Sequence, residues 1–308
     1  MARRPARALA VVVAVVVAVV VAAAAATVGL VVSQSSPPSC TTPRGDAVDT
    51  VAYADRDGSD ANLTSLDVYA SPDAEACPVL IWVHGGSWQA GDKSTRLTRV
   101  KADHFIDNGW VFVSVNYRLA AEDNDIRWPA FGDDVAAAHR WVNDNIEDFG
   151  GDPERISLIG HSSGAHLVSI VGTNETLLQR QGLDQGLGAV RCVVSLDSVT
   201  QDLTDQPPWE VDIISLAFPT DEALVDGSPT LQAANATTPI PDFLIVTRGR
   251  QERLDSSARL AAAINDAGGN AEVADLSPYD HSQVSTELGI DGEQMVTPAV
   301  DTFLGGCL

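Results

Sequence analysis

A series of short apolar runs constrains this chain more than any other feature. PVLIWV at 78–83, WVFVSV at 110–115 and ISLI at 156–159 are apolar at nearly every position, so each reads as a strand buried on both faces. VRCVVSLD, DFLIVTRG and NAEVADLS supply three further strands, and VDTVAYAD and LTSLDVYAS open the series with an alternating pattern. Between them lie segments of helical spacing: residues 97–108, FGDDVAAAHRWVNDNI, the residues after Ser162, and SSARLAAAINDAGG, whose glycines mark its end. Strands that alternate with helices pair in parallel, because a parallel connection needs a crossover long enough to hold a helix. The expected fold class is α/β: a mostly parallel central sheet with helices on both faces, filling residues 48–308. The stretch 201–240 is rich in proline and weakly periodic. It is expected to form a cap or pocket wall over the strand ends.

In such sheets ligands collect at the carboxyl ends of the strands. LIGHSSGAHL, residues 158–167, leaves one of those ends through glycines placed four apart. Glycine at 160 and 164 removes the side chains that would collide when a strand reverses sharply into a helix, and the central residue is pushed outward. This predicts a nucleophile elbow with Ser162 at its tip. A serine hydroxyl is a weak nucleophile without a base and a site for negative charge. HGGSW, residues 84–88, ends the strand at 78–83 with two glycines that let the backbone turn its N–H groups outward. Gly86 and Ser87, with the N–H of Ser163, are the expected oxyanion donors. His84 is expected to brace that loop.

The base is expected at His281, in SPYDHSQV just after the last strand. His104 and His139 fall on amphipathic helix patterns and read as surface or interface residues. His161 is expected to point away from Ser162, and His166 lies on the following helix. The acid that orients the imidazole should follow DFLIVTRG, in RGRQERLDSS. Glu252 is preferred and Asp255 is the alternative; both also read as solvated charges beside Arg248, Arg250 and Arg253. If neither serves, Asp197 is a further candidate. Trp88 and Trp209 read either as pocket wall or as core. The cysteine spacing fits no zinc site, and the expected chemistry needs no metal or organic cofactor.

The formal net charge of −23 comes with no clustered run of Lys and Arg, which argues against nucleic acid as a partner. The beginning of the chain is of another kind: Arg3, Arg4 and Arg7 precede an apolar run from 8 to 32. Segment 1–32 is expected to be a signal peptide or an N-terminal membrane anchor, followed by a linker at 33–47. Membrane contact is expected only through that segment, if it is retained, and the domain should act outside the cytoplasm, anchored or secreted. Four cysteines in an oxidising compartment allow two disulfides. Cys40–Cys77 and Cys192–Cys307 is the preferred pairing, with four free thiols as the alternative.

LDVYASP, HGGSWQAGDK, VNYRLA, GHSSGAHL and DHSQV stand in an order that resembles the α/β-hydrolase superfamily, in particular its feruloyl-esterase-like and kynurenine-formamidase-like serine esterases. The resemblance implies an α/β-hydrolase fold and a Ser–His–acid triad using Ser162, His281 and an acid after the penultimate strand. It departs at Ser87, where glycine is common, and at Glu252, where aspartate is usual. The expected function is hydrolysis of a small-molecule carboxylic ester through an acyl-enzyme. An amidase or formamidase with the same triad, and a non-catalytic binding domain on this scaffold, are the alternatives.

Overall fold

The apolar runs assemble into one eight-stranded sheet in the computed structural model, which describes Cys40, residues 48–56 and residues 58–308. The expected signal or anchor segment 1–32, and the linker apart from Cys40, lie outside the described residues. The strands are β1 (Asp49–Ala52), β2 (Ser65–Tyr69), β3 (Cys77–Val83), β4 (Val111–Val115), β5 (Gly151–His161), β6 (Cys192–Leu196), β7 (Asp242–Thr247) and β8 (Ala271–Asp275). Their spatial order is β1-β2-β4-β3-β5-β6-β7-β8. β1 and β2 pair antiparallel, as do β2 and β4, and every later pairing is parallel.

The helices are α1 (Arg96–Asp107), α2 (Ala130–Asn145), α3 (Ser163–Val171), α4 (Glu175–Arg180), α5 (Pro208–Ala217), α6 (Asp221–Asp226), α7 (Pro229–Asn235), α8 (Gln251–Asp266), α9 (His281–Thr286) and α10 (Val296–Gly306). Successive strand side chains point to opposite faces, and β3 shows both. Val79, Ile81 and Val83 pack with Phe131 and Val135 of α2, Leu167 and Ile170 of α3, and Leu260 and Ile264 of α8. Leu80 and Trp82 pack on the other side with Phe105 of α1, Val284 of α9, and Val300 and Leu304 of α10. Each large apolar side chain so buried stabilises the fold by roughly 1.5–3 kcal/mol. Sheet coverage on both faces is as expected from the continuous apolar runs.

Three local expectations change. The alternation of LTSLDVYAS suggests a half-exposed strand, yet β2 is buried throughout. Asp67 tolerates this because Lys93 Nζ lies 3.0 Å from its carboxylate and the Thr50 hydroxyl donates to it at 2.7 Å. His139 is not a surface residue: it is fully buried, on the α2 stripe that also holds Val135, Ala138 and Val142. The helix expected from residue 256 begins at Gln251, which places Glu252 and Asp255 on α8. Two disulfides, Cys40–Cys77 and Cys192–Cys307, have Cα separations of 5.6 and 6.2 Å, in the preferred pairing. The first ties the segment before β1 to the start of β3; the second ties the start of β6 to the end of α10.

Residues 201–240 carry α5, α6 and α7 between β6 and β7. Among the described residues no helix is long and apolar enough to cross a membrane.

Candidate active site

Ser162 sits at the junction of β5 and α3 with φ +58° and ψ −121°, a backbone that side chains rarely adopt. Its N–H donates to the Leu196 carbonyl of β6 at 3.0 Å, and its own carbonyl accepts from His166 N–H at 3.0 Å. The flanking glycines are sterically required. A Cβ on Gly160 would stand 2.4 Å from the Gly164 carbonyl oxygen, and one on Gly164 would stand 2.1 Å from that of Val83. Both obstacles are backbone, so neither can yield by a rotamer change.

His281 is the first residue of α9, whose start is fixed by a capping box. Asp280 accepts the Gln283 N–H, and the Gln283 side chain accepts the Asp280 N–H, both at 2.8 Å. From that position His281 Nε2 lies 3.0 Å from Ser162 Oγ and Nδ1 lies 2.6 Å from Asp197 Oδ2. A carboxylate only accepts, so Nδ1 carries the proton and Nε2 presents its lone pair to the serine hydroxyl. Asp197 follows β6 with φ +51°, and its N–H donates to the Val246 carbonyl at 2.8 Å. β6 is the sheet neighbour of β5, so this carboxylate emerges beside the elbow.

The carboxylate that meets His281 therefore follows β6, one strand before the place where the acid is expected. Glu252 and Asp255 do not meet the imidazole. Glu252 occupies the first turn of α8, where the helix dipole favours a carboxylate. Asp255 accepts from Gln251 of the preceding turn at 2.7 Å, and both acids line a separate cavity with Asp205 and Arg259. The loop after β7 and the first turn of α8 instead bring cations. Arg248 Nε donates to Asp197 Oδ2 at 2.7 Å and Arg253 Nη1 to Oδ1 at 3.2 Å. Burial alone would raise the pKa of Asp197. The hydrogen bond from His281 and the Arg253 and Arg248 guanidiniums outweigh burial and hold the carboxyl below its usual range.

His161 meets His281. Their ring centroids are 4.6 Å apart, and His161 Nε2 donates to the His281 carbonyl at 2.8 Å. Burial, and then the neighbouring His281, lower its pKa to about 4, so the ring is neutral near pH 7. His166 is also buried and donates from Nε2 to the Gly227 carbonyl at 2.7 Å.

The HGGSW segment turns through positive φ at Gly86 (+128°), Ser87 (+56°) and Trp88 (+58°). The Gly86 carbonyl accepts from the N–H groups of Gln89 and Ala90, which closes the turn. A Cβ at Gly86 would lie 2.0 Å from the Ala90 carbonyl oxygen, so only glycine fits. His84 braces the loop: its Nδ1 lies 2.8 Å from the Gly85 carbonyl, and its ring stacks on Tyr117 at 4.5 Å. The buried Tyr117 hydroxyl donates to the His84 carbonyl at 3.1 Å and lies 3.4 Å from Ser163 Oγ. Tyr117 thus joins the two loops on which the expected oxyanion donors lie. It stands in VNYRLA, and nothing local to that segment indicates this contact.

A cavity of about 210 Å³ opens on Ser162 and His281. Its wall includes Ser87, Trp88, Ser163 and Asp197; Gly86 is not on it. Ser198, Val199 and Thr200 follow Asp197 on the wall, Glu210 and Ile213 of α5 face them, and Arg253 closes one side. The 201–240 region thus supplies pocket wall. Trp88 is both core and wall: it is buried edge-on to Phe218 and His166. Trp209 lies in α5, and its side chain falls outside the described residues. No group of three or more His, Cys, Asp or Glu that could hold a metal ion occurs among the described residues.

This arrangement can take the proton of the Ser162 hydroxyl as it attacks. The chain is similar to known esterases. The BD-FAE family model matches residues 66–207. The esterase LipQ of Mycobacterium tuberculosis is 30% identical over 255 residues, which are 78% of this chain and 58% of LipQ. The chain thus spans a little over half the length of that relative. Among solved structures, Thermogutta terrifontis esterase 2 with butyrate bound superposes with a TM-score of 0.65 at 20% identity, covering 84% of this chain and 94% of that one. The Pyrobaculum calidifontis esterase gives 0.66 at 22% identity, covering 85% of each. At such identities the likeness is one of fold.

Proposed function

The chain belongs to the α/β-hydrolase superfamily, and on that premise we propose that it is a serine hydrolase of carboxylic esters. The observation that carries this reading is the hydrogen-bonded series Ser162–His281–Asp197 opening on a cavity. Ser162 Oγ attacks the acyl carbon while His281 Nε2 takes its proton. The imidazolium is stabilised by Asp197, which stays ionised throughout. The carbonyl oxygen becomes negative and is held by backbone N–H groups, with Ser87 and Ser163 on the cavity wall and Gly86 shaping the turn. His281 then returns its proton to the leaving alcohol. Water, deprotonated by the same ring, attacks the acyl-enzyme and frees the acid.

The cavity volume of about 210 Å³ is below the ~300–1,000 Å³ usual for sites that enclose a drug-sized ligand. A short acyl group fits that space. Its wall mixes the polar Ser198, Thr200, Glu210 and Arg253 with the apolar Trp88, Val199 and Ile213, and its small volume disfavours a long alkyl chain. Two disulfides suit an oxidising compartment, so action outside the cytoplasm is part of the reading.

The test is labelling by a fluorophosphonate probe, run beside p-nitrophenyl esters of rising acyl length. The expected result is covalent labelling that Ser162→Ala abolishes, with acetate and butyrate esters turned over faster than octanoate. Absence of labelling of the folded protein would favour a binding domain. Faster turnover of matched amides than esters would favour an amidase.

A further inference from the structure

The guanidinium pair on Asp197 is unlike anything an orienting carboxylate requires for geometry alone. One oxygen, Oδ2, accepts from both His281 and Arg248. The other, Oδ1, accepts from Arg253, whose second terminal nitrogen lies 3.9 Å from Glu210 Oε1 on α5. Asp197 is 1% exposed, and the two arginine side chains are 18% and 15% exposed, so these contacts are only weakly screened by water.

We propose that Arg248 and Arg253 are positioning residues for the hydrolysis: they share the charge of Asp197, so that less of it bears on His281, the base that must accept the serine proton. The proposal rests on the reading of Ser162 and His281 as nucleophile and base.

A carboxylate beside an imidazole stabilises the imidazolium and strengthens the base. In this reaction that help has a drawback, since a base that is already protonated cannot accept the serine proton. Each guanidinium on Asp197 withdraws part of that stabilisation. Together they also occupy the carboxylate on the sides the imidazole does not use, which fixes its plane. The other charged or titratable groups around the pair are Glu210 on α5, His161 at the end of β5, Lys101 on α1 behind it, and Asp280 at the start of α9. His161 is neutral near pH 7 and hydrogen-bonded to the His281 backbone, so it adds no charge there. Glu210 is nearest to Arg253 and partly offsets it. Removing one arginine leaves Asp197 nearer to full charge toward His281. The proton affinity of the ring must then rise.

The experiment is the pH profile of kcat/KM for p-nitrophenyl acetate with the wild-type protein, Arg253→Gln, Arg248→Gln and Arg253→Lys. The expected result is an acid limb displaced to higher pH by roughly 0.5–1 unit in each glutamine variant. The plateau above that limb should fall less than the acid side does, and Arg253→Lys should return the limb toward its wild-type position. A limb that stays in place while the whole profile drops would overturn the proposal, because it would mean the arginines only support the fold. Displacement to lower pH would overturn it as well. If one glutamine variant does not fold, titration of the His281 ring by NMR in the other, beside the wild-type protein, both carrying Ser162→Ala, gives the same comparison. The ring should titrate at higher pH in the glutamine variant, and an unmoved titration would refute charge sharing. His281→Ala separates the two readings. Wild-type activity in that variant would remove the base assignment itself, whereas its loss beside unmoved arginine profiles would overturn only the charge-sharing proposal.

Discussion

Replacing Asp197 by asparagine tests the displaced acid directly. The imidazole Nδ1 lies 2.6 Å from Asp197 Oδ2, so the substituted amide either still accepts there or turns its NH₂ toward the ring. Arg248 and Arg253 both donate to the same carboxylate, and their combined demand for an acceptor disfavours an NH₂ facing them. Three donors would then compete for one neutral oxygen. Where the amide NH₂ faces Nδ1, the ring must carry its proton on Nε2, which aims a donor at Ser162 Oγ and removes the lone pair that serves as base. Where the oxygen faces Nδ1, the imidazolium loses its counter-charge while two cations remain beside it. Both arrangements block the same step. A wrong tautomer at such a site costs about 10⁴-fold in kcat, which corresponds to roughly 5.4 kcal/mol of transition-state stabilisation. Leaving the largely buried Arg248 without its counter-ion, and Arg253 with Glu210 alone at 3.9 Å, also destabilises the fold, by about 3 kcal/mol. The assay is kcat/KM for p-nitrophenyl acetate at a pH on the plateau, with Tm measured on the same samples. Glu252→Gln and Asp255→Asn serve as matched controls and should stay within about twofold of wild type, because both residues lie on α8 away from the ring. Folded Asp197→Asn protein that keeps more than about a tenth of wild-type activity, far above the loss expected for a wrong tautomer, would refute the assignment. So would a large loss in either control.

Gly164→Ala should abolish activity and lower Tm, since its Cβ would stand 2.1 Å from the Val83 carbonyl oxygen; overpacking of that kind costs ~1–3 kcal/mol or more, and an active, stable variant would contradict the strained elbow. Ser87→Gly should keep activity within a few-fold, because its φ of +56° suits glycine and only the N–H is asked to contribute; loss of most activity would show that the hydroxyl matters. His139, His161 and His166 each have a pKa lowered to about 4, chiefly by burial. The unfolded chain therefore binds more protons than the native one between about pH 6.5 and 4, so their contribution is full above 6.5 and is lost as pH falls toward 4, by ~3 kcal/mol each. Tm should fall steeply over that window, and a flat Tm would show that these rings are not held neutral. Removing Cys192–Cys307 as the double serine variant opens a loop spanning 115 residues and should lower stability by up to about 5 kcal/mol, read by urea unfolding; no change would mean the bond does not constrain the unfolded chain.

The elbow at Ser162 was legible because its signal is local, and His281 because strand order puts it at a carboxyl end. An elbow is written in two glycines four apart behind an apolar strand, and the base lies just after the last strand of an α/β series. The sheet was legible for a similar reason, since a strand buried on both faces must be apolar at nearly every position. Cavity shape and Tyr117 were not legible, because they depend on which loops the sheet brings together.

The amino-acid order alone determined the α/β class, the elbow and the glycine-lined turn before Trp88, since each follows from short-range sterics or periodicity, whereas the histidine that meets the serine 119 residues away was read from the order of the strands. Only the tertiary structure decided which carboxylate meets that histidine. The chain has 42 aspartates and glutamates, and local pattern does not single out one of them. Strand adjacency does: β6 lies beside β5, so Asp197 emerges next to Ser162, while α8 begins early enough to carry Glu252 and Asp255 elsewhere. Charge–charge contact is set by position in space, and that position is fixed by the sheet order rather than by neighbours in the chain.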